Sequence, residues 1–336
     1  MAAYDNLRLE KGMYQVAGKS FTQVLEELDP SQQYRGTPLE GLDAYQRQLK
    51  RFDIKVSGRH SDCVEKFFAT TTSAALFPEY VKRAVNMGME NSAVLDNIVA
   101  SKTVIDSLDY RTITADNTAA DKTLNVTVEG TAMTETTIKT KENLVTMKKR
   151  GRLLIASYEA LRFQRLDLFT VTLKQIGNYL LRTQLEDAVT TLIEGDGNEN
   201  PADEVAVAAT GTLTYADLLK LWGEFEDYNM DVLLADTAGM LKLVQLEEFQ
   251  NPLTGLNFAG TGQLTTPMGA RLYRTGAVPT GNMVALDSTC ALEMVTAGDV
   301  MLEYDKLIDR QLERAAISCT YGFAKIFEDA SKVLTL

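Results

Sequence analysis

Histidine, tryptophan and cysteine are nearly absent: the 336 residues include one histidine, one tryptophan and three cysteines. Histidine is the commonest metal ligand and the commonest general acid or base, so His60 alone supports few metal or catalytic sites. Cys63, Cys290 and Cys319 are an odd number and lie far apart, which excludes a disulfide framework and a CxxC zinc or redox motif. We therefore expect no bound metal, no cofactor and no enzymatic activity.

Positive charge and long apolar runs are also scarce. The sequence has 46 acidic and 34 basic residues and a net charge of −12, which leaves no uniformly basic face along which nucleic acid could bind. Nowhere do eighteen apolar residues run together, and no basic region followed by an apolar stretch stands at the N-terminus. We expect neither secretion nor membrane insertion, and the cysteine content fits a reducing, cytoplasmic origin.

One short motif resembles a calcium loop but lacks essential positions. Asp196, Asn198 and Asn200 alternate like the first ligands of an EF-hand. Pro201, however, stands where the loop needs its glycine, and Val207 stands where it needs a glutamate. The motif therefore favours a solvent-exposed turn.

A long helix is predicted in the middle of the chain. No proline occurs between Glu79 and Asn200, so uninterrupted elements are expected there. Apolar residues recurring every three to five positions predict one helix from about Ser157 to Ile193, with the turn Gly195–Gly197 ending it. The residues of this apolar stripe are Leu166, Phe169, Leu173, Ile176, Leu180, Leu185, Ala188 and Leu192.

Ahead of this helix, residues 103–146 are rich in threonine and alternate polar with apolar side chains. The alternation is clearest at Thr123–Glu129, and it predicts a two-stranded hairpin. An isolated two-stranded ribbon is only marginally stable in water. We therefore expect the hairpin to find its partner surface on another molecule.

The C-terminal half mixes helices with short strands. Thr214 and Asp217 form a capping box that opens a helix over 215–225. The apolar side of that helix is predicted to carry Leu218, Leu221, Trp222 and Phe225. A strand (230–235), a helix (237–249), two further strands (270–273 and 283–286) and a long strand from Arg314 follow, which together indicate a compact α+β domain.

Eight local sequences stand in a distinctive order along residues 66–336. They are 73–78, 128–130, Lys148–Leu161, Gly195–Gly197, 232–236, 268–273, 278–287 and 322–325. In this order they resemble the major capsid proteins of tailed bacteriophages with the Hong Kong 97 fold. Lys148–Leu161 is similar to the strand that leads into the spine helix of that family.

The resemblance implies an α+β capsid fold with six parts. These are an N-terminal arm (1–65), the first part of a peripheral domain (66–105), an extended hairpin called the E-loop (106–150), the spine helix with more of the peripheral domain (151–204), an axial domain (205–308) and a closing peripheral strand (309–336). The arm, which includes a basic amphipathic piece over 46–55, is expected to be extended.

The implied function is that of a structural capsid subunit in a virion. Such subunits self-assemble through hexamers and pentamers into an icosahedral head that encloses double-stranded DNA, here bound without sequence specificity. Assembly is expected in the host bacterial cytoplasm, with scaffolding, portal and decoration proteins as further partners and no membrane contact.

Lys148, Lys149, Arg150 and Arg152 form the densest basic cluster of the chain. They are either a solvated strand end or an intersubunit salt-bridge site. Glu129 is a further candidate contact, and the candidate acidic partners of the cluster are Glu247 and Glu248, or else Glu224, Glu226 and Asp227.

One position departs from the family pattern. Some members join subunits by an isopeptide bond between an E-loop lysine and an asparagine near the C-terminus. Since this chain has no asparagine after Asn282, we expect a shell without covalent cross-links.

Three other functions remain open at this point. An encapsulin-like compartment shares the fold but encloses enzymes, and a portal or tail protein would form a single ring. A carboxylate-based glycosidase would need a sugar-binding cleft lined with aromatic residues, for which a single tryptophan offers little.

Overall fold

The computed structural model of the chain describes residues 3–16, 18–90, 93–115, 126–127, 129–130, 133, 138–157, 159, 163–250, 264–298 and 300–336. The chain divides into two units. Unit 1 contains Met1–Asn91, Arg150–Leu181 and Val300–Ser318, and unit 2 contains Ser92–Lys149, Arg182–Asp299 and Cys319–Leu336. None of the described helices is both long enough and apolar enough to span a membrane.

Helices are the main regular elements of unit 1. They are α1 (Phe21–Leu28), α2 (Ala44–Arg51), α3 (Thr71–Ala74), α4 (Phe77–Met89) and the first part of α6 (Leu166–Glu194). Helices α4 and α6 approach so closely that a Cβ added to Gly88 would lie 2.1 Å from the main-chain oxygen of Lys174. A Cβ on Gly177 would lie equally close, at 2.1 Å, to the oxygen of Val85. Two glycines therefore permit this helix crossing.

The N-terminal segment is folded, so the extended conformation expected for residues 1–65 is wrong for the described part. Helices α1 and α2 both begin at capping boxes, at Ser20 and Asp43. The fully buried guanidinium of Arg47 lies 2.7 Å from the fully buried carboxylate of Asp29. The Arg47 guanidinium also stacks on the ring of Tyr34 at 4.4 Å. These buried contacts give the segment a folded structure of its own instead of an extended one.

The long helix begins later than its apolar pattern predicts. Ser157 is the last residue of strand β4 (Lys148–Ser157), which pairs with strand β11 (Leu312–Lys325), and α6 begins at Leu166. The predicted start at Ser157 is therefore wrong, because the backbone up to that residue belongs to a sheet. The end of the helix at Glu194, before the Gly195 turn, is confirmed.

Strand β11 runs through both units. In unit 1 its first part pairs antiparallel with β10 (Met301–Leu307), in the register Met301↔Ser318. In unit 2 its second part pairs antiparallel with β9 (Leu292–Ala297), which also pairs parallel with β1 (Ser101–Ile105). The predicted long C-terminal strand is thus confirmed.

A second five-stranded sheet, all of it in unit 2, has the order β5-β12-β8-β6-β7. Its strands are β5 (Asp203–Ala206), β6 (Val232–Ala235), β7 (Arg271–Arg274), β8 (Asn282–Leu286) and β12 (Ser331–Thr335). The other helices of unit 2 are α5 (Ala93–Ile98), α7 (Tyr215–Gly223), α8 (Thr237–Gln245) and α9 (Glu247–Gln250). The inward side chains of α7 and α8 share one apolar core with one face of this sheet. The predicted α+β composition of this region is confirmed.

The base of the predicted hairpin is present. Strands β2 (Ile113–Ala115) and β3 (Ile138–Thr140) pair antiparallel, with Ile113 opposite Thr140. Most of the strand predicted at Thr123–Glu129 lies outside the described residues. Thr103, included in the predicted hairpin, belongs instead to β1 and pairs with β9.

Candidate functional site

Strand β4 carries the basic cluster, and its side chains alternate between two faces. Lys148 places its Nζ 2.8 Å from Oδ1 of Asp187 on α6, so it has a partner within the chain. Arg152, four residues on and hence on the same face, stacks its guanidinium over the ring of Tyr179 at 5.4 Å. Such a contact contributes about 0.5–1 kcal/mol at an exposed site. This face of the strand is directed toward its own chain.

The opposite face of β4 carries exposed side chains on both sides of Gly151, where a Cβ would lie 2.6 Å from the main-chain oxygen of Ile317. The side chain of Lys149 is exposed and forms no hydrogen bond or ion pair with any residue that the structure describes. Leu153 and Ile155, which share this face, are 51% and 57% exposed. A cation followed by two exposed apolar side chains is unusual for a solvated strand end, because branched apolar groups gain nothing from water.

The predicted acidic contacts lie on elements other than β4. Glu129 is exposed in a turn with Gly130, and Glu247 and Glu248 begin the short helix α9. Among the described residues, none of these three carboxylates pairs with Lys148 or Lys149. Their assignment as contacts thus stays a prediction about a second molecule.

The first leg of the hairpin is anchored by a buried carboxylate. Glu293 on β9 accepts hydrogen bonds from the hydroxyls of Thr103 at 2.5 Å, Tyr110 at 2.8 Å and Thr112 at 2.5 Å. Burial, together with the bond to the Glu293 carboxylate and its charge, raises the pKa of Tyr110. Three hydroxyl donors to one carboxylate fix the point at which the chain enters the hairpin.

The second leg is anchored by the turn that follows α6. Lys141 places its Nζ 3.2 Å from Oδ2 of Asp196. Asn143 donates from its main-chain nitrogen to Oδ1 of Asn198 at 3.0 Å and from its side chain to the oxygen of Gly197 at 2.6 Å. The predicted turn is present and Gly197 is exposed, but solvent exposure is wrong for Asp196, whose side chain is 1% exposed.

The electrostatics of Asp196 fit this anchoring role. Burial raises the pKa of Asp196, but the hydrogen bond from Asn198, the charge and hydrogen bond of Lys141 and the main-chain N–H of Lys325 outweigh it. The net pKa lies below the ordinary value. The sequence shows the alternating Asp and Asn but indicates no partner for Asp196. A lysine 55 positions away gave no signal of this contact.

Trp222 lies on the outward face of α7, contrary to the prediction that it belongs to the apolar side. Leu218, Leu221 and Phe225 are buried, whereas Trp222 is 48% exposed. Successive helical residues are about 100° apart, so Trp222 falls on the next face, together with Leu219. Among the described residues, no group of three His, Cys, Asp or Glu side chains could hold a metal ion.

Comparison with known proteins identifies the family. A family model described as phage capsid protein matches residues 140–333, which is more than half of the chain. The chain belongs to this family of phage capsid proteins. No curated protein sequence matches this capsid protein.

Solved structures share the fold of this capsid protein at low sequence identity. A virus-like particle from Pyrococcus furiosus is 13% identical with a TM-score of 0.51, and the match covers 76% of this chain and 98% of that chain. Gordonia phage Cozz is 11% identical with a TM-score of 0.54, covering 73% and 86%. The capsid of the native GTA particle is 15% identical with a TM-score of 0.53, covering 74% and 90%. The predicted Hong Kong 97 type of fold is confirmed, and the capsid protein is a structural component of phage particles.

Proposed function

We propose that this capsid protein self-assembles through hexamers and pentamers into a closed icosahedral head that encloses double-stranded DNA. The anchored hairpin is the observation that carries the proposal. Both of its legs are fixed by carboxylate contacts, at Glu293 and at Asp196. The sequence of residues 106–150 predicts a long two-stranded ribbon, and such a ribbon is only marginally stable in water without a second surface. The surface available in a shell is a neighbouring subunit.

Under this proposal residues 106–150 act as the E-loop, residues 205–308 as the axial domain at the centre of each capsomer, and residues 66–105, 151–204 and 309–336 as the peripheral domain. Residues 1–65 contribute a folded segment to the peripheral side. Scaffolding, portal and decoration proteins are further partners, and assembly takes place in the cytoplasm of the bacterial host.

The exposed cations of β4 act as an intersubunit salt-bridge site. Ion pairs that lose water at an interface couple by on the order of 1.5–7 kcal/mol, whereas exposed pairs contribute under about 1 kcal/mol. Lys149→Glu combined with Arg150→Glu should therefore impair assembly without unfolding the subunit. Particle yield beside a circular dichroism spectrum tests this, and normal yield would refute the role.

Contact with packaged DNA is weak and without sequence specificity. A net charge of −12 repels a polyanion, so binding rests on local cations at the inner surface. Particles purified from infected cells should contain DNA that resists nuclease until the shell is opened.

Negative-stain electron microscopy with light scattering tests the proposal directly. The chain expressed alone, and again with the other head proteins of its phage, should form closed polyhedral particles or capsomer rings. A subunit that stays monomeric in both preparations contradicts it, and a single ring that never closes favours a portal or tail role.

Shells without covalent cross-links are the expected product, because no asparagine follows Asn282. Boiled particles should run as one monomer band on a denaturing gel. A ladder of multimers would contradict this part of the proposal.

A protein-filled compartment is the second candidate, favoured by the likeness to the virus-like particle from Pyrococcus furiosus. The content of purified particles distinguishes a phage head from a protein-filled compartment. Nuclease-protected DNA supports a phage head, and a single enriched protein cargo without DNA supports a compartment.

A further inference from the structure

The outward faces of α7 and α8 carry apolar side chains that the described residues of unit 2 leave substantially exposed. Both helices pack their inward residues against the same sheet, and both turn a pair of apolar residues at i and i+3 to solvent. The pair on α7 is Leu219 and Trp222, and the pair on α8 is Leu241 and Val244. All four are at least 37% exposed. Tryptophan in an apolar neighbourhood is enriched at protein interfaces and depleted on free surfaces.

Acidic residues follow each of these helices at the C-terminal end. Glu224 and Glu226 come after α7, Glu247 comes after α8, and all three are exposed. The C-terminus of a helix carries partial negative charge, so cations are favourable there and carboxylates are not. Glu224 and Glu226 form no ion pair with any residue in the described ranges. The free subunit thus holds an apolar surface bordered by uncompensated negative charge.

The solvent face of β4 has the matching composition with the opposite charge. Lys149 is followed on that face by Leu153 and Ile155, all exposed. The β4 face carries two apolar side chains and a cation, whereas the α7 and α8 faces carry apolar side chains and carboxylates. The two surfaces are therefore complementary in hydrophobicity and in charge. Apolar contact removes both surfaces from water, and the charges meet at the border, where they set the register.

We propose that the outward face of α7 and α8 is a docking surface for a second copy of this chain, which brings the solvent face of its strand β4. The inference rests on the proposed assembly into shells and goes beyond it by assigning one pair of surfaces. It places Trp222 inside an interface of the particle.

Trp222 is the single tryptophan of the chain, so its fluorescence reports on this surface alone. The full chain is compared as assembled particles and as dissociated subunits in the same buffer. We expect a blue shift of the emission and a loss of acrylamide quenching on assembly. Particles whose Trp222 emission and quenching equal those of the subunits would overturn the docking surface and leave the proposed function intact. A wild-type chain that never forms particles, even with its head proteins, would overturn the proposed function and this inference with it.

Charge exchange tests the partner surface. Glu224→Lys with Glu226→Lys should weaken subunit association about tenfold or more. Lys149→Glu should do the same. The three changes together restore opposite charges and leave a net charge of −10, so association should recover.

The control for the acidic side is Asp5→Lys with Glu10→Lys, the same charge change at two exposed residues of unit 1. It should leave association unchanged, and circular dichroism should show every variant folded. Failure of the variant with all three changes to recover would overturn β4 as the partner surface. Recovery together with a protected Trp222 would establish the pairing.

Discussion

Gly177→Ala should destabilise the subunit although alanine is the better helix former. The added Cβ would lie 2.1 Å from the main-chain oxygen of Val85, and real Cβ atoms essentially never come closer than 3.0 Å to such an atom. Because the obstacle is backbone and not the end of a flexible side chain, α4 and α6 must move apart. Overpacking of this kind costs about 1–3 kcal/mol, and alanine recovers about 1 kcal/mol through its helix propensity. We expect a net loss of up to about 2 kcal/mol.

Gly223→Ala is the matched control, since Gly223 ends α7 and a Cβ there would have no atom within 4 Å. It should be neutral or stabilising by up to about 1 kcal/mol. Urea unfolding of dissociated subunits, with midpoint and slope fitted for each variant, measures both changes. Gly88→Ala adds a methyl group on the other side of the crossing, so it should lower the free energy of unfolding about as much as Gly177→Ala does. The double variant should lose less stability than the sum of the two single losses. A Gly177→Ala subunit as stable as the Gly223→Ala subunit would refute the close crossing.

Two further stability predictions follow from buried charge. Arg47→Met leaves the carboxylate of Asp29 buried without its ion-pair partner and should lower the free energy of unfolding in urea by about 3–5 kcal/mol. Arg8→Met breaks only an exposed pair with Glu10 and should lower it by less than about 1 kcal/mol. Burial lowers the pKa of Lys325 to about 8 from 10.5, so between these pH values the unfolded chain binds a proton that the folded chain does not. The free energy of unfolding should therefore rise with pH over this window by up to about 3 kcal/mol. Lys325→Met should abolish the rise. The same rise in that variant would contradict a lysine that is buried and neutral in this pH window.

Elements with a strong local signal could be predicted from the sequence. The apolar repeat and the Gly195 turn located the body and the end of α6, and the capping box at Thr214 located the start of α7, where both predicted hydrogen bonds are present. The alternation after Arg314 located β11. In each case the residues that determine the element lie within one or two turns, or one strand, of each other.

Elements decided by distant contacts could not be predicted. The segment over 1–65 has the proline and glycine content of an arm, yet it folds because Arg47 meets Asp29 and because the hydroxyl of Tyr14 donates to the oxygen of Ala75, 61 positions away. Nor does the sequence distinguish Gly177, which permits a helix crossing, from a glycine that merely weakens a helix. The role of Asp196 as an anchor depends on Lys141, which the sequence places in a different element.

Net charge and local charge act in opposite directions in this protein. Each copy carries a charge of −12, so copies repel one another at long range. At about 0.1 M salt the screening length is about 10 Å, and only charges near a contact then act strongly. Within the described residues Lys148 and Arg152 already contact Asp187 and Tyr179, whereas Lys149 has no such contact and points to solvent. In the proposed assembly, association of copies depends less on the total charge than on the few cations that remain directed outward, and the fold leaves Lys149 exposed on the same face of β4 as an exposed apolar pair.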